Sequence, residues 1–404
     1  MKRLINLNNN IFEKIKTNKN TIGLMGSILM NNILYMFLNT FMIAYFIALT
    51  NYNYTLVSIY YIITFVFIAL SFLILGKIIK NKNQMHIHRI GIILQSIYLL
   101  LIAFLKENIL NYYIYLAIFP GVAQGFYWAS SHVLTNEHIG KDSDKFISIK
   151  SVIDKCLKIL FPIIFGVSIE LTSFSYIAKV VLILSVLQLT FSLLISDKSA
   201  INKKEYNLKE FCSKFKNNKL LKKYYKLVCC DGVVSYLLDT LITIIIVMTF
   251  KTTISLGFLT TIFSICSIIS IFIYQNKIKN KKRMLHISSI AMVLSVILLL
   301  ITLNKITVVI YNLCAGLFLV LLRNTAQARR YTIISNIKEV EKDYLVEHQV
   351  LSEIYLNVAR ILGYGILFIV SLFNNVLVFK LFLILVTIII VNHAKLLIEL
   401  EKTK

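Results

Sequence analysis

The chain has 404 residues, of which 58% are hydrophobic and 15% charged, and its mean hydropathy is +0.76. This composition excludes a soluble protein, because too few polar side chains remain to cover a surface in water. A net charge of +24 would point to nucleic acid in a soluble chain. Here most of the positive charge lies in the breaks between apolar stretches, so we expect no nucleic-acid partner.

Apolar stretches of about 20 residues, the length of a helix that crosses a bilayer, recur along the whole chain. They predict an all-α integral membrane protein with about 12 transmembrane helices. The first stretch is too long for a cleaved signal peptide, so we expect it to remain as a span. The predicted spans are 21–50, 54–76, 88–105, 110–134, 147–170, 174–196, 226–250, 252–274, 285–304, 306–328, 348–373 and 375–397.

Lysine and arginine are concentrated in alternate loops, which is the pattern of loops that stay in the cytoplasm. Basic clusters follow the second, sixth and eighth spans, and the segment from Lys198 to Lys226 contains ten lysines, counting both ends. The opposite loops hold little more than Lys106, Lys251 and Lys305. We therefore expect a multi-pass protein of a bacterial inner (cytoplasmic) membrane with both termini in the cytoplasm.

The longest polar break, 197–225, divides the chain into an N-terminal half, 1–196, and a C-terminal half, 226–404. Its lysines and apolar residues suit a helix that lies on the anionic lipids of the cytoplasmic face. The two halves are also similar in sequence, since 77–100 and 277–300 share aligned Ile, Leu, Lys and His residues without a gap. This repeat predicts two six-helix pseudo-repeats.

The chain lacks the usual signals of a cofactor, a metal site or an enzyme. Its six cysteines lie within spans or in the central break, without the spacing of a metal site or a disulfide framework. No P-loop sequence and no motif of an intramembrane enzyme occurs. We therefore expect no cofactor, no metal and no catalysis, and no direct use of ATP.

Several motifs give the chain a family resemblance. The chain has six spans in each half, with basic loops at the 2–3 and 8–9 connections. Its fourth span contains a glycine-rich aromatic segment, Gly121–Trp128, and its fifth span contains Pro162 and Gly166. With these features the chain resembles the major facilitator superfamily over essentially its whole length. One departure is Lys80, which stands where the family's 2–3 loop carries an acidic residue. The resemblance implies a secondary transporter that binds substrate between its halves, and we expect a monomer.

In that superfamily spans 1, 4, 7 and 10 line a central cavity, and polar or aromatic residues recur at helical spacing in these spans here. Such a lining suits an amphipathic organic molecule. The alternative is that these side chains bond neighbouring helices. The candidate cavity residues are Asn32, Tyr35, Asn39, Gln124, Tyr127, Trp128, Ser131, Ser235, Tyr311 and Asn312.

Charged residues inside spans are stronger candidates, because a charge near the bilayer centre is unfavourable unless it is paired or hydrated. Asp239, near the midplane of the seventh span, is the first candidate for proton coupling or for binding a cationic substrate. Asp231, two turns earlier on the same face, is the second candidate for coupling. Because it lies closer to the cytoplasm, the alternative is that water simply solvates it. A structural pairing with lysine or arginine is the alternative role for Asp239.

The fifth and eleventh spans also carry charges, and in the superfamily these spans border the seam between the halves. Lys150, Asp154 and Lys158 form a stripe on the fifth span, and Glu353 and Arg360 are seven residues apart on the eleventh. We expect them to form a gating network whose ion pairs change as the halves rock. Static neutralisation between helices is the alternative.

The sequence thus predicts a proton-coupled secondary transporter of a small amphipathic molecule. Export is favoured over uptake, because the expected cavity is aromatic with few fixed charges. The expected partners are the substrate, protons and anionic lipids. Uptake of a nutrient or metabolite remains an alternative, as does a non-transporting sensor or assembly partner with the same fold.

Overall fold

The computed structural model describes residues 19–81, 84–139, 143–196, 205–277, 281–337, 340, 343–373 and 375–402. Within these ranges the chain is helical and contains no strand. Ten of the long helices in the described ranges are both long and apolar enough to cross a membrane. This architecture confirms the predicted all-α membrane fold.

The long helices follow the order expected from the apolar pattern, and a short linker helix, Leu208–Phe215, separates the two groups of six. The long helices are α1 Lys19–Leu49, α2 Thr55–Asn81, α3 Gln84–Leu105, α4 Tyr113–Ile139, α5 Ser143–Leu171, α6 Phe174–Leu193, α7 Lys219–Phe250, α8 Thr253–Lys277, α9 Lys281–Ile301, α10 (305–335), α11 Leu345–Phe373 and α12 Val376–Lys402.

Helix α7 begins seven residues before the predicted span because its first turns are amphipathic rather than apolar. The Asn218 side chain accepts hydrogen bonds from the backbone N–H groups of Leu220 and Leu221, at 3.0 and 3.1 Å. Such a cap satisfies N–H groups that the helix itself leaves unpaired. Leu221 and Tyr224 are buried while Lys222 is exposed. The mean hydropathy of these turns is therefore low, and a pattern of continuous apolar residues does not predict them as part of a span.

The linker helix packs on the protein. Its Phe211 is 1% exposed and lies in a small core with Leu221, Val340 and Tyr344. The Tyr344 hydroxyl donates to Glu210 Oε1 at 2.6 Å. Protein, rather than lipid, therefore covers the apolar face of this helix at Phe211, and contact with anionic lipids remains a proposal for its exposed lysines.

The two halves meet along α2 with α11 and along α5 with α8. Gly166 of α5 and Gly257 of α8 face each other so closely that a Cβ on either would overlap the opposite backbone. Two threonine hydroxyls of α8 lie 2.9 Å from carbonyl oxygens across this seam, Thr253 from that of Gly166 and Thr261 from that of Ile159. Small residues and cross-helix hydrogen bonds are the usual means of close packing in membranes.

The bundle has two distinct ends. We call the end where α2 meets α3 and α6 meets α7 the basic end, and the opposite end the outer end. At the outer end, the final segment of α1, Met42–Leu49, packs against that of α7, Leu238–Phe250. Glu170 of α5 accepts hydrogen bonds from the Thr253 backbone and hydroxyl at 3.0 and 2.6 Å. The two halves are therefore packed together at the outer end.

Candidate functional site: a charged cavity between the halves

A cavity of about 580 Å³ lies between the two halves. Its walls come from α1, α2 and α5 of the N-terminal half and from α7, α8 and α10 of the C-terminal half. This volume falls in the usual range for sites that bind small organic molecules. The polar and aromatic lining residues are Asn32, Tyr35, Asn39, Thr40, Tyr61, Asp154, Lys155, Lys158, Ser235, Tyr236, Asp239, Thr240, Thr243, Thr260, Phe263, Ser264, Ser267, Asn312, Arg323, Asn324 and Gln327.

Half of the predicted cavity residues line this space. They are the α1 set Asn32, Tyr35 and Asn39, with Ser235 of α7 and Asn312 of α10. The structure brings these five residues together from three helices and both halves. Their roles in binding remain a proposal.

The other five predicted cavity residues lie outside the lining. Four of them are on α4, where Gly121 and Gly125 let the helix pack closely against α2 rather than face the cavity. Charged residues of α5 occupy the wall instead. The five residues outside the lining are Gln124, Tyr127, Trp128, Ser131 and Tyr311.

Tyr127 and Tyr311 illustrate the difference between a polar residue in a span and a cavity residue. Both are fully buried. The Tyr127 ring packs against His88, and its hydroxyl donates to the Ser27 carbonyl at 3.5 Å. These contacts join α3, α4 and α1 within the N-terminal half. Tyr127 therefore bonds neighbouring helices, which was the alternative to lining the cavity.

Asp239 forms an ion pair with Arg323 at the cavity wall. The Arg323 guanidinium donates to Asp239 Oδ1 at 2.8 Å. The carboxylate side chain is 59% exposed although it lies in the middle of α7, whereas the guanidinium is 17% exposed. The cavity therefore presents the acid, and the base lies behind it.

A π-helical turn in α7, Val233–Leu237, holds Arg323 in place. Arg323 Nε and one terminal nitrogen donate to the Val234 carbonyl at 3.0 and 2.6 Å, and the same nitrogen donates to the Ser235 carbonyl at 2.9 Å. A π turn widens the helix and frees backbone carbonyls, and such turns are frequent at functional sites. Helices α1 and α10 carry similar turns, Phe37–Phe41 and Ala315–Leu319, beside their own cavity residues.

Arg323 is the main functional candidate that the sequence analysis missed. It lies inside the predicted tenth span, 306–328, where an arginine needs an acidic partner or water. Asp239, an acidic residue inside the predicted seventh span, was the indication in the sequence that Arg323 could have a partner there. Pairing the two would have required the packing of α7 against α10, which the spans alone do not give.

The N-terminal half contributes a second ion pair to the cavity. Lys158 lies 2.9 Å from Asp154 Oδ2, and the Asn32 amide donates to Asp154 Oδ1 at 2.8 Å. The Lys158 side chain is 51% exposed and that of Asp154 is 20% exposed. Lys155 also lines the cavity, whereas Lys150 of the predicted stripe does not. The expectation of a cavity with few fixed charges is therefore wrong, because five charged side chains line it.

Arg360 lies directly behind the cavity wall. Its guanidinium is 3.7 Å from the centre of the Tyr236 ring and 5.1 Å from that of Phe65, so it lies between rings from both halves. It donates to Asn357 Oδ1 at 3.0 Å, and Asn357 in turn donates to Glu353 Oε2 at 3.5 Å. The amide thus links the two charged residues that the sequence analysis placed in a gating network, and Arg360 lies at the seam.

Tyrosine hydroxyls also connect the halves at this level. The Tyr35 hydroxyl of α1 is hydrogen-bonded to the Tyr236 hydroxyl of α7. The rings of Tyr61 and Tyr364, on α2 and α11, are 5.0 Å apart, and the Tyr364 hydroxyl is hydrogen-bonded to Thr240. Side chains of the cavity wall are thus bonded across the seam.

Asp231 lies away from the cavity. It is 2% exposed, and its carboxylate is 2.7 Å from His393 Nε2 of α12 and 3.2 Å from Arg330 Nε of α10. These contacts lie within the C-terminal half. The suggestion that Asp231 is simply solvated is wrong, because three helices enclose it.

At the basic end, a buried ion pair between α2 and α11 joins the two halves, and we call this pair the latch. Lys80 of α2 lies 2.5 Å from Glu347 of α11, and both side chains are almost completely buried. Glu347 also accepts the Asn207 backbone N–H of the linker at 3.0 Å. Burial and the nearby Glu347 raise the pKa of Tyr206 to about 12. The lysine that departs from the family's acidic position thus has a carboxylate partner on α11.

Among the described residues, no group of three or more His, Cys, Asp or Glu is placed to hold a metal ion. The cysteines are free thiols. The chemistry that the described site supports is therefore ion pairing, hydrogen bonding and stacking on aromatic rings.

The model of the Major Facilitator Superfamily matches residues 89–329, which is more than half of the chain. Among solved structures, the chain is similar to the nucleoside transporter NupG, with a TM-score of 0.64 and 12% sequence identity over 95% of this chain and 100% of that one. A mutant of NupG gives a TM-score of 0.64 and 12% identity, covering 94% of this chain and 99% of the other. No curated protein sequence matches the chain.

Proposed function

The chain belongs to the Major Facilitator Superfamily, and from that premise we propose that it is a proton-coupled secondary transporter of a small amphipathic organic molecule. Substrate binds in the cavity between the halves, and rocking of the halves exposes it to each side in turn. Aromatic rings, amides and hydroxyls in the lining support this substrate class. The protein acts as a monomer in the cytoplasmic membrane, with its basic end and both termini in the cytoplasm.

The observation that carries the proposal is the placement of Asp239. A carboxylate in the middle of a membrane helix is retained where it faces water or a partner, and Asp239 has both. Because it is half exposed, protons and substrate can reach it through the cavity. Because Asp239 is hydrogen-bonded to Arg323, a change in the charge of Asp239 alters a contact between α7 and α10.

Proton coupling follows from competition for the Asp239 carboxylate. Protonation neutralises the acid and weakens its bond to Arg323, while the carbonyls of the π turn still hold the guanidinium. The contact between α7 and α10 at the cavity then differs between the two protonation states. A proton can therefore bias the two conformations by the difference in its binding to them.

The packed outer end supports the inference that this conformation opens at the basic end. Lys158 and Asp239 are more than half exposed, so the cavity communicates with the protein surface. The contacts of Thr253 with Glu170 and of α1 with α7 close the outer route. The basic end is the remaining route along the bundle axis.

Uptake of a hydrophilic metabolite is the second candidate function. A cavity with few fixed charges would favour export, but five charged residues line this one, so export has no advantage on that ground. A charged and amide-rich lining is suited to a polar solute that cannot cross the bilayer alone. The liposome experiment described next distinguishes uptake from export.

The test is solute-driven proton movement in liposomes that contain the purified chain and a pH-sensitive dye. Ethidium, uridine, glycine betaine and L-phenylalanine are added separately outside. We expect at least one of them to drive proton flux, whose sign distinguishes symport from antiport. Asp239→Asn should remove the proton flux, whereas Glu107→Gln, at an exposed position of the outer end, should leave it unchanged.

Two results would count against the proposal. Folded protein that moves neither protons nor any of these solutes would favour a non-transporting role. Solute movement without protons, unaffected by Asp239→Asn, would retain transport and remove proton coupling through this residue.

A further inference from the structure

The two ion pairs of the cavity are arranged with opposite polarity. In the C-terminal half, Arg323 is recessed because three of its hydrogen bonds go to carbonyls of α7 and a fourth goes to Asp239. Asp239 uses only Oδ1 in this contact, and its side chain is the more exposed member of the pair. This half therefore presents negative charge to a ligand.

In the N-terminal half, the acid is the recessed member. Both Asp154 oxygens are occupied, one by Asn32 and the other by Lys158. The Lys158 ammonium has three donors and a side chain that is 51% exposed, so donors remain for a ligand. Lys155 adds a second positive charge to the same wall. This half therefore presents positive charge.

Asn312 supplies an independent sign of a ligand on the negative side. It is 1% exposed, lines the cavity, and donates its amide to the Leu259 carbonyl at 2.8 Å. Its Oδ1 is buried and accepts no hydrogen bond within the described structure. A buried acceptor without a donor is unfavourable, and a ligand that carries N–H groups would satisfy it.

We propose that the cavity recognises a zwitterion, whose cationic amine binds Asp239 and Asn312 Oδ1 and whose anionic group binds Lys158 and Lys155. This substrate class rests on the proposed transport function and narrows it. A simple cation would leave Lys155 and the remaining donors of Lys158 without a ligand acceptor, and a simple anion would face Asp239. A dipolar ligand satisfies both walls, and it holds the two halves together through opposite ends of one molecule.

The test compares probes that differ only in charged groups. L-phenylalanine carries both groups, 2-phenylethylamine lacks the carboxylate, and 3-phenylpropanoate lacks the amine. L-tryptophan is a larger zwitterion with the same ammonium group. Glycine betaine is a zwitterion whose nitrogen carries no N–H group, so it separates charge pairing with Asp239 from hydrogen bonding to Asn312. Uridine serves as the uncharged probe. Binding is measured as thermal stabilisation of the purified full chain, and transport is measured in liposomes.

We expect at least one zwitterion to bind about 10-fold or more tightly than a probe that lacks one of its charges, the loss typical of one charged hydrogen bond. Asp239→Asn should remove the preference for L-phenylalanine over 3-phenylpropanoate, and Lys158→Gln the preference over 2-phenylethylamine. Asp239→Glu and Lys158→Arg, which keep the charges, should restore part of each preference. Glu107→Gln is the matched control outside the cavity.

The outcomes separate the two proposals. Transport of uridine or of a singly charged probe, with no binding of any zwitterion, overturns the zwitterion proposal and leaves transport intact. Equal binding of L-phenylalanine and its two analogues would likewise overturn the zwitterion proposal and leave transport intact. Folded protein that binds and moves no probe contradicts both.

Discussion

Asp231 and Asp239 lie two turns apart on one helix, yet the structure gives them opposite environments. Asp231 is enclosed by His393 and Arg330, whereas Asp239 faces the cavity. The sequence identified both residues because carboxylates are rare in spans. It could not separate them, because the burial of each is decided by α10 and α12, which are distant in the chain.

The buried carboxylate leads to a prediction about stability. Asp231→Asn keeps the shape of the side chain but removes the charge that pairs with Arg330 and His393. We expect a loss of about 1–3 kcal/mol in the free energy of unfolding, the range for a buried polar group left without its partner. The measurement is the thermal unfolding midpoint of the purified protein, with Glu107→Gln as control. An unchanged midpoint would show that these contacts do not stabilise the fold.

At the scale of helices, the apolar pattern predicted the long helices well because a bilayer requires continuous apolar runs. It could not reveal the π turns of α1, α7 and α10, since one wide turn changes hydrogen bonding and leaves hydropathy unchanged. The role given to α4 came from family resemblance alone. Its glycines, Gly121 and Gly125, instead serve contact with α2.

The α5–α8 seam gives a prediction at this scale. A methyl group at Gly257 would overlap the Pro162 carbonyl, whereas nothing lies within 4 Å of a Cβ at Gly365. We expect Gly257→Ala to destabilise the protein by about 1–3 kcal/mol through overpacking. Gly365→Ala should stabilise it by about 0.5–1 kcal/mol through helix propensity. Thermal unfolding midpoints test the pair, and shifts of the same sign would contradict this account of the seam.

At the scale of the whole molecule, the halves are joined by different contacts at their two ends. The outer end is packed through helix surfaces, and the basic end carries the buried pair of Lys80 and Glu347. The sequence marked Lys80 as a departure from the family pattern. The sequence does not reveal its partner, because Glu347 lies 267 positions away in the chain and just before the predicted eleventh span.

The latch predicts a shift in conformational balance. Lys80→Met or Glu347→Gln should favour separation of the halves at the basic end, because each leaves its former partner without a counter-charge. Faster thiol labelling of Gln327→Cys from the basic side would report this opening. The double variant should differ little from either single one, since both remove the same contact. Independent, additive effects would show that the pair is not a latch.

Alternating access is the central claim, and thiol labelling of one cavity residue tests it without knowledge of the substrate. In a version with the six cysteines replaced, Ser264→Cys is exposed to a membrane-impermeant maleimide in vesicles of each orientation. Asn51→Cys and Lys214→Cys serve as markers of the outer and cytoplasmic sides. We expect Ser264→Cys to be labelled from both sides, although each marker is labelled from one side only. Labelling of Ser264→Cys from one side alone, under all conditions, would contradict the account.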